Sequence, residues 1–135
     1  MKLKYLLNDY KLNEISDTHR TIMHASLEGL IDNAFRKTFK SDGRTFYPDA
    51  TVTSFNQIDN TLNYEINYTI GYMIKGRWTG TLDTDEELEQ YLSKQKFRTQ
   101  LEKLLRKTDM TIVNIQFEPK EHGSTHSLLL TLASL

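Results

Sequence analysis

Three observations predict an α+β fold, a curved antiparallel sheet of five or six strands packed by an N-terminal helix and a kinked helix pair. The first is a run in which Leu62, Tyr64, Ile66, Tyr68, Ile70, Tyr72 and Ile74 occupy alternate positions, with mostly polar residues between them. Period two marks a strand with one buried face. The second is a stretch from about Ser16 in which Met23, Leu27, Leu30, Ile31, Ala34, Phe35 and Phe39 recur at intervals of three and four, as on an amphipathic helix. The third is the order of elements: possible strand, helix, three strands, helix pair, two strands. At ~3.3 Å per residue the long run outreaches a small domain if straight, so the strand must bend, and Gly71 is the natural place. At 135 residues, 1–135 reads as a single domain that can close a core without disulfides or metal.

Taken in order, Leu3, Tyr5 and Leu7 alternate weakly with lysines and predict an edge strand over Met1 to Leu7. Ser16 or Asp17 can cap the first helix, and Ser41-Asp42-Gly43 supplies its polar exit. Tyr47-Pro48-Asp49 reads as loop, and 51–58 as a strand. With Asp59-Asn60 as the turn, Gln57 faces Leu62, Phe55 faces Tyr64, Thr53 faces Ile66 and Thr51 faces Tyr68. Lys75-Gly76 makes a second turn into Arg77 to Leu82. Thr84-Asp85-Glu86-Glu87 matches a capping box, and Ser93 caps a further helix with Leu92 and Phe97 as its hydrophobic staple, predicting helices over 85–92 and 94–107. Met110 to Phe117 and Thr125 to Leu135 read as two central strands, because apolar residues fall on both faces.

With 17 basic and 18 acidic residues the chain has no global field for nucleic acid or anionic membrane. The absence of cysteine removes disulfides, thiolate nucleophiles and cysteine metal sites. Met1 to Asp9 is too broken for a signal-peptide core, and the apolar Ser127 to Leu135 falls well short of the ~20 residues of a membrane helix, so a cytoplasmic protein without membrane contact is expected.

Few constellations carry chemistry. His122 and His126, with Glu118 and Glu121, can offer imidazole and carboxylate ligands to zinc or manganese from one loop, although a polar hairpin loop explains them as well. His19 and His24 lie ~140° apart around a helix, read as surface and cap residues, and do not make a two-histidine zinc face. Asp85, Glu86, Glu87 and Glu89 suit the first turn of a helix through its dipole. No nucleophile elbow, phosphate loop or dinucleotide fingerprint occurs, and no cofactor is expected. Lys94, Lys96, Arg98, Lys103, Arg106 and Lys107 form a basic group offset only by Glu102, and Lys96, Lys103, Arg106 and Lys107 project away from Phe97, Leu101 and Leu104 as a face that phosphate can bind. Tyr64, Tyr68, Tyr72 and Trp78 can stack bases, but alternation with isoleucine favours burial against the first helix.

The element order resembles helix-on-curved-sheet folds such as the cystatin-like and NTF2-like groups, a likeness that does not fix function. The expected function is a non-catalytic protein-binding module, such as an inhibitor or an assembly or accessory protein of a phage or mobile element. It would pair through strand edges and the loops at 43–50 and 118–126 with a protein partner or with itself as a homodimer. The alternatives are a nucleic-acid-binding protein using the 94–107 face, and a metal-dependent enzyme or ligand-cavity protein.

Overall fold

Alternating side chains place one strand at the centre, and the rest of the molecule is arranged around it. In the computed structural model, which describes residues 17–39, 43–119 and 123–135, the order is α1 (Asp17–Thr38), β1 (Arg44–Ile58), β2 (Thr61–Ile74), β3 (Arg77–Thr81), α2 (Asp85–Tyr91), α3 (Lys94–Arg106), β4 (Met110–Phe117) and β5 (His126–Ser134). The strands form one open antiparallel sheet in the order β1-β2-β5-β4. On its side away from β1, β2 pairs with β5 over Thr61 to Tyr68 and with β3 over Gly71 to Ile74. The fold is α+β with five strands, and the strand expected at Met1 to Leu7 lies outside the described residues.

Both hairpin turns require left-handed backbone. Asp59 adopts φ 52, and Lys75 and Gly76 adopt φ 52 and 77, the pair of positive values that a type I′ turn demands. The helix pair follows its caps: Thr84 Oγ1 accepts from Glu87 N at 3.0 Å, and Ser93 Oγ accepts from Lys96 N at 3.2 Å. The break between the two pieces lets Leu88 and Leu92 reach the core together with Phe97, Leu101, Leu104 and Leu105.

Near its turn the first hairpin has the expected register, with Gln57 opposite Leu62 and Phe55 opposite Tyr64. Beyond that the pairing shifts. A bulge between Val52 and Ser54 leaves Thr53 as the extra residue, so Val52, not Thr53, faces Ile66, and Ala50, not Thr51, faces Tyr68. The bulge exchanges the two faces of the strand: even positions from Phe46 to Val52 point to the core, then Phe55 and Gln57 do. The segment around Tyr47-Pro48-Asp49, expected as loop, is strand. A second bulge, at Val113, accounts for the adjacent apolar pair Ile112-Val113, of which Ile112 is buried and Val113 is 54% exposed. β4 ends the strand order, so it is an edge strand and not the central one expected.

The core lies between one sheet face and the helices. Met23, Leu27, Ile31, Ala34 and Phe35 of α1 meet Tyr64, Ile66, Tyr68 and Ile70 of β2 and Leu128, Leu130 and Leu132 of β5 within a single cluster. Phe35 is the junction, with ring centroids 4.2 Å from Phe97 and 4.8 Å from Tyr68. Burying a side chain of this size contributes about 1.5–3 kcal/mol. His24, expected at the surface, packs its ring edge-on against Phe55 and Tyr64 at 5.4 and 5.8 Å, because helical spacing sets it beside Met23 and Leu27.

Open sheets expose unpaired backbone at their edges, a liability for aggregation. Here helices cap those groups. Glu28 Oε2 accepts from Val52 N at 2.7 Å and Asp32 Oδ1 from Ala50 N at 2.9 Å, so two carboxylates one helical turn apart serve two outward amides of β1. Position 48 shares that side of the strand, and proline has no N–H to leave unmet. At the opposite edge Glu102 of α3 accepts from Ile112 N at 3.0 Å and from the Thr111 hydroxyl.

Candidate binding face

Of the four residues singled out for metal binding, His126 and Glu118 lie among the described residues. His126 is the first residue of β5 and is buried in the core, its ring stacked on Tyr68 at 5.2 Å. Its Nε2 stands 2.7 Å from the Leu82 carbonyl oxygen, which can only accept, so the proton resides on Nε2 and that nitrogen is not offered to a metal. Nδ1 lies 3.8 Å from Asp85 Oδ1 at the start of α2. Glu118 donates its backbone N–H to Ser127 O at 3.0 Å, while Glu121 and His122 lie outside the described residues. Among the described residues no three His, Asp or Glu side chains are grouped to hold a metal ion.

The basic residues of α3 divide into two sets. Lys94 bonds Glu89 at 3.3 Å and covers the Phe117 ring at 5.2 Å, and Arg106 pairs with Glu102 at 3.4 Å. Lys96, Lys103 and Lys107 are exposed, and successive steps of seven and four residues keep them on one stripe of the helix. Arg98 is exposed on the other flank. A shallow depression of ≈ 350 Å³ runs beside Lys96, lined by Ser93, Gln95, Thr99 and Gln100.

Burial shifts the chemistry of several core-facing groups. Asp32 is pushed up to about 6, chiefly by burial, against the lowering effect of the Ala50 N–H. Asp49 and Glu28 add to the rise and Arg36 opposes it. Burial also raises the phenols of Tyr64 and Tyr68, which therefore stay neutral. The Tyr64 hydroxyl has no hydrogen-bond partner among the described residues.

The sheet face turned away from the helices is a different surface. Rows of directly paired residues cross it: Asn56, Asn63, Thr131 and Asn114, then Glu65, Leu129 and Gln116, then Asn67 and Ser127. Side chains link neighbouring strands along these rows. Thr131 Oγ1 donates to Asn63 Oδ1 at 2.9 Å and Ser127 Oγ to Asn67 Oδ1 at 2.7 Å. Within these rows Glu65 is the single ionisable residue, and it has no ion pair among the described residues. A depression of ≈ 250 Å³ opens around it. Leu129, 36% exposed, lines the depression, Val113 at the β4 bulge is 54% exposed, and no described helix covers them.

No protein-family model, curated protein or solved structure matches this chain. No helix among the described residues is long and apolar enough to cross a membrane. Sequence reasoning did not single out the outward face, because its residues read only as the polar half of each alternating pattern. The available signal was their composition, amides and hydroxyls where charged residues are usual on a solvated face.

Proposed function

We propose that this chain is a non-catalytic protein-binding module, an inhibitor or assembly component, that docks its partner on the open face of the sheet. One observation carries the reading: rows of amides and hydroxyls, already tied together across strands, surround exposed Leu129 and Val113 with a single charge among them. A surface fixed in this way loses little side-chain entropy on binding, and low charge with apolar centres is the composition of an interface core. Edge pairing, the mode expected from the strand pattern, has less support, since outward amides at 50, 52 and 112 already have acceptors. The test is affinity capture from the native host, with sedimentation to detect a second copy as the partner. Capture lost in a Val113→Asp/Leu129→Asp double variant and retained in Lys96→Gln/Lys103→Gln/Lys107→Gln supports the face. Capture unaffected by the double variant overturns it.

The Lys96, Lys103 and Lys107 stripe favours a second reading, contact with a nucleic-acid backbone. It predicts an affinity for DNA or RNA that falls steeply with salt and is lost in the triple glutamine variant. Absence of a gel shift at low salt removes it.

A further inference from the structure

We propose that the depression around Glu65 receives an arginine side chain of the partner protein. The inference rests on the open face being the docking surface, and it assigns the chemistry of the partner's central contact.

Three features of the depression select an arginine. The first is charge: Glu65 is exposed and without an ion pair among the described residues, in rows otherwise made of neutral groups. A partner that covers it without supplying a cation would strand a desolvated carboxylate, which is costly. The second is the neighbour across the strand. Leu129 sits directly opposite Glu65, so their Cβ atoms are about 4.5–5.5 Å apart. An anion beside an exposed apolar side chain matches a ligand with an apolar stem and a cationic head, the form shared by lysine and arginine. The third is the number of acceptors. Asn56 and Asn114 line the same ≈ 250 Å³ depression, and a carboxamide carries an oxygen that can accept. A guanidinium has five donors in a planar fork and can serve the carboxylate and these oxygens together, whereas an ammonium is a point charge.

A second copy of this chain fits the site less well. A two-fold pairing of the face on itself about this depression would set Glu65 near its own symmetry mate and leave both without a cation. A foreign partner with an exposed arginine meets both requirements.

The test uses N-acetyl-arginine methylamide as the probe, followed through the Leu129 methyl and the Asn56, Asn63 and Asn114 side-chain amide resonances of the intact protein. Saturable shifts confined to those groups are expected, weakened about threefold to fivefold in Glu65→Gln and with the neutral isostere N-acetyl-citrulline methylamide. Glu65 is exposed, so the variant keeps the fold. Equal shifts with the citrulline probe, an unchanged response in Glu65→Gln, or shifts scattered over the surface overturn the proposal. An equally tight N-acetyl-lysine methylamide overturns the choice of guanidinium. If capture of the natural partner depends on Val113 and Leu129 while the arginine probe fails, the docking face stands and the arginine assignment falls.

Discussion

Asp32 gives the sharpest test of how the helices close the sheet. Its carboxylate accepts from Ala50 N at 2.9 Å, yet burial holds its pKa at about 6 against a reference of 3.8. Between those values the folded protein binds a proton that the unfolded chain has released. Stability contributed by this group is therefore fully present below about pH 4 and is lost as pH rises through 6. If felt in full, the difference amounts to about 3 kcal/mol. Asp32 is only half-buried, and screening by water leaves about half of that, ~1.5 kcal/mol. Asp32→Asn keeps an oxygen for the Ala50 amide and removes the ionisation. Above pH 7 it should be more stable than the parent by ~1–1.5 kcal/mol, and near pH 4 the two should agree. Asp32→Ala also leaves the buried Ala50 amide without its acceptor, so it should fall ~1–3 kcal/mol below the asparagine variant at every pH. Denaturant melts at several pH values supply these differences, and carbon NMR of the side chain supplies the titration midpoint. An Asp32 midpoint below 5, or an asparagine variant no more stable at pH 8, would refute the reasoning.

Three further outcomes are expected. Tyr64→Phe removes a buried hydroxyl without a hydrogen-bond partner among the described residues and should leave stability unchanged or raise it by up to ~1 kcal/mol; a loss greater than that in urea melts would reveal a bond to the hydroxyl. Ile66→Ala, at a fully buried position in the middle of β2, should cost ~2–5 kcal/mol, and a midpoint shift equivalent to under about 1 kcal/mol would contradict its place in the core. Ser93→Ala removes the acceptor for Lys96 N and should cost ~0.5–2 kcal/mol, with helical circular dichroism largely retained; no loss would show that α3 does not depend on this cap.

What the sequence disclosed depends on how much a feature relies on local pattern. β2 was legible because Leu62, Tyr64, Ile66, Tyr68 and Ile70 alternate without interruption and all are buried. The helix pair was legible because Thr84 and Ser93 act through neighbours three residues away. Bulges have no such mark: Thr53 and Ser54 are both small and polar, so either could face solvent, and the exchange of faces shows only once Val52 meets Ile66. Pro48 argued for a loop because proline is excluded from central strands, and an edge strand admits it. The roles of Glu28, Asp32 and Glu102 carry no such mark either. Glu28 and Asp32 each directly follow a buried residue, Leu27 and Ile31, which places them on the rim of the packed stripe, within reach of a strand edge. That reach depends on tertiary placement, which no spacing encodes.

The carboxylates along the edges also alter what amide hydrogen exchange reports. In an ordinary open sheet, outward amides of the outermost strands are bonded only to water and exchange early. Here the amides of Ala50, Val52 and Ile112 are held by side chains from α1 and α3. Their slow exchange would measure the free energy of lifting a helix off the sheet, separately from the loss of strand pairing read at inward amides of the same strands. Adjacent residues on one strand thus act as independent clocks, one for helix docking and one for the ladder. If the Ala50 and Val52 amides are released before their inward neighbours, α1 leaves first and bares the backbone of β1 while the sheet is still intact, the state from which chains would begin to pair with one another.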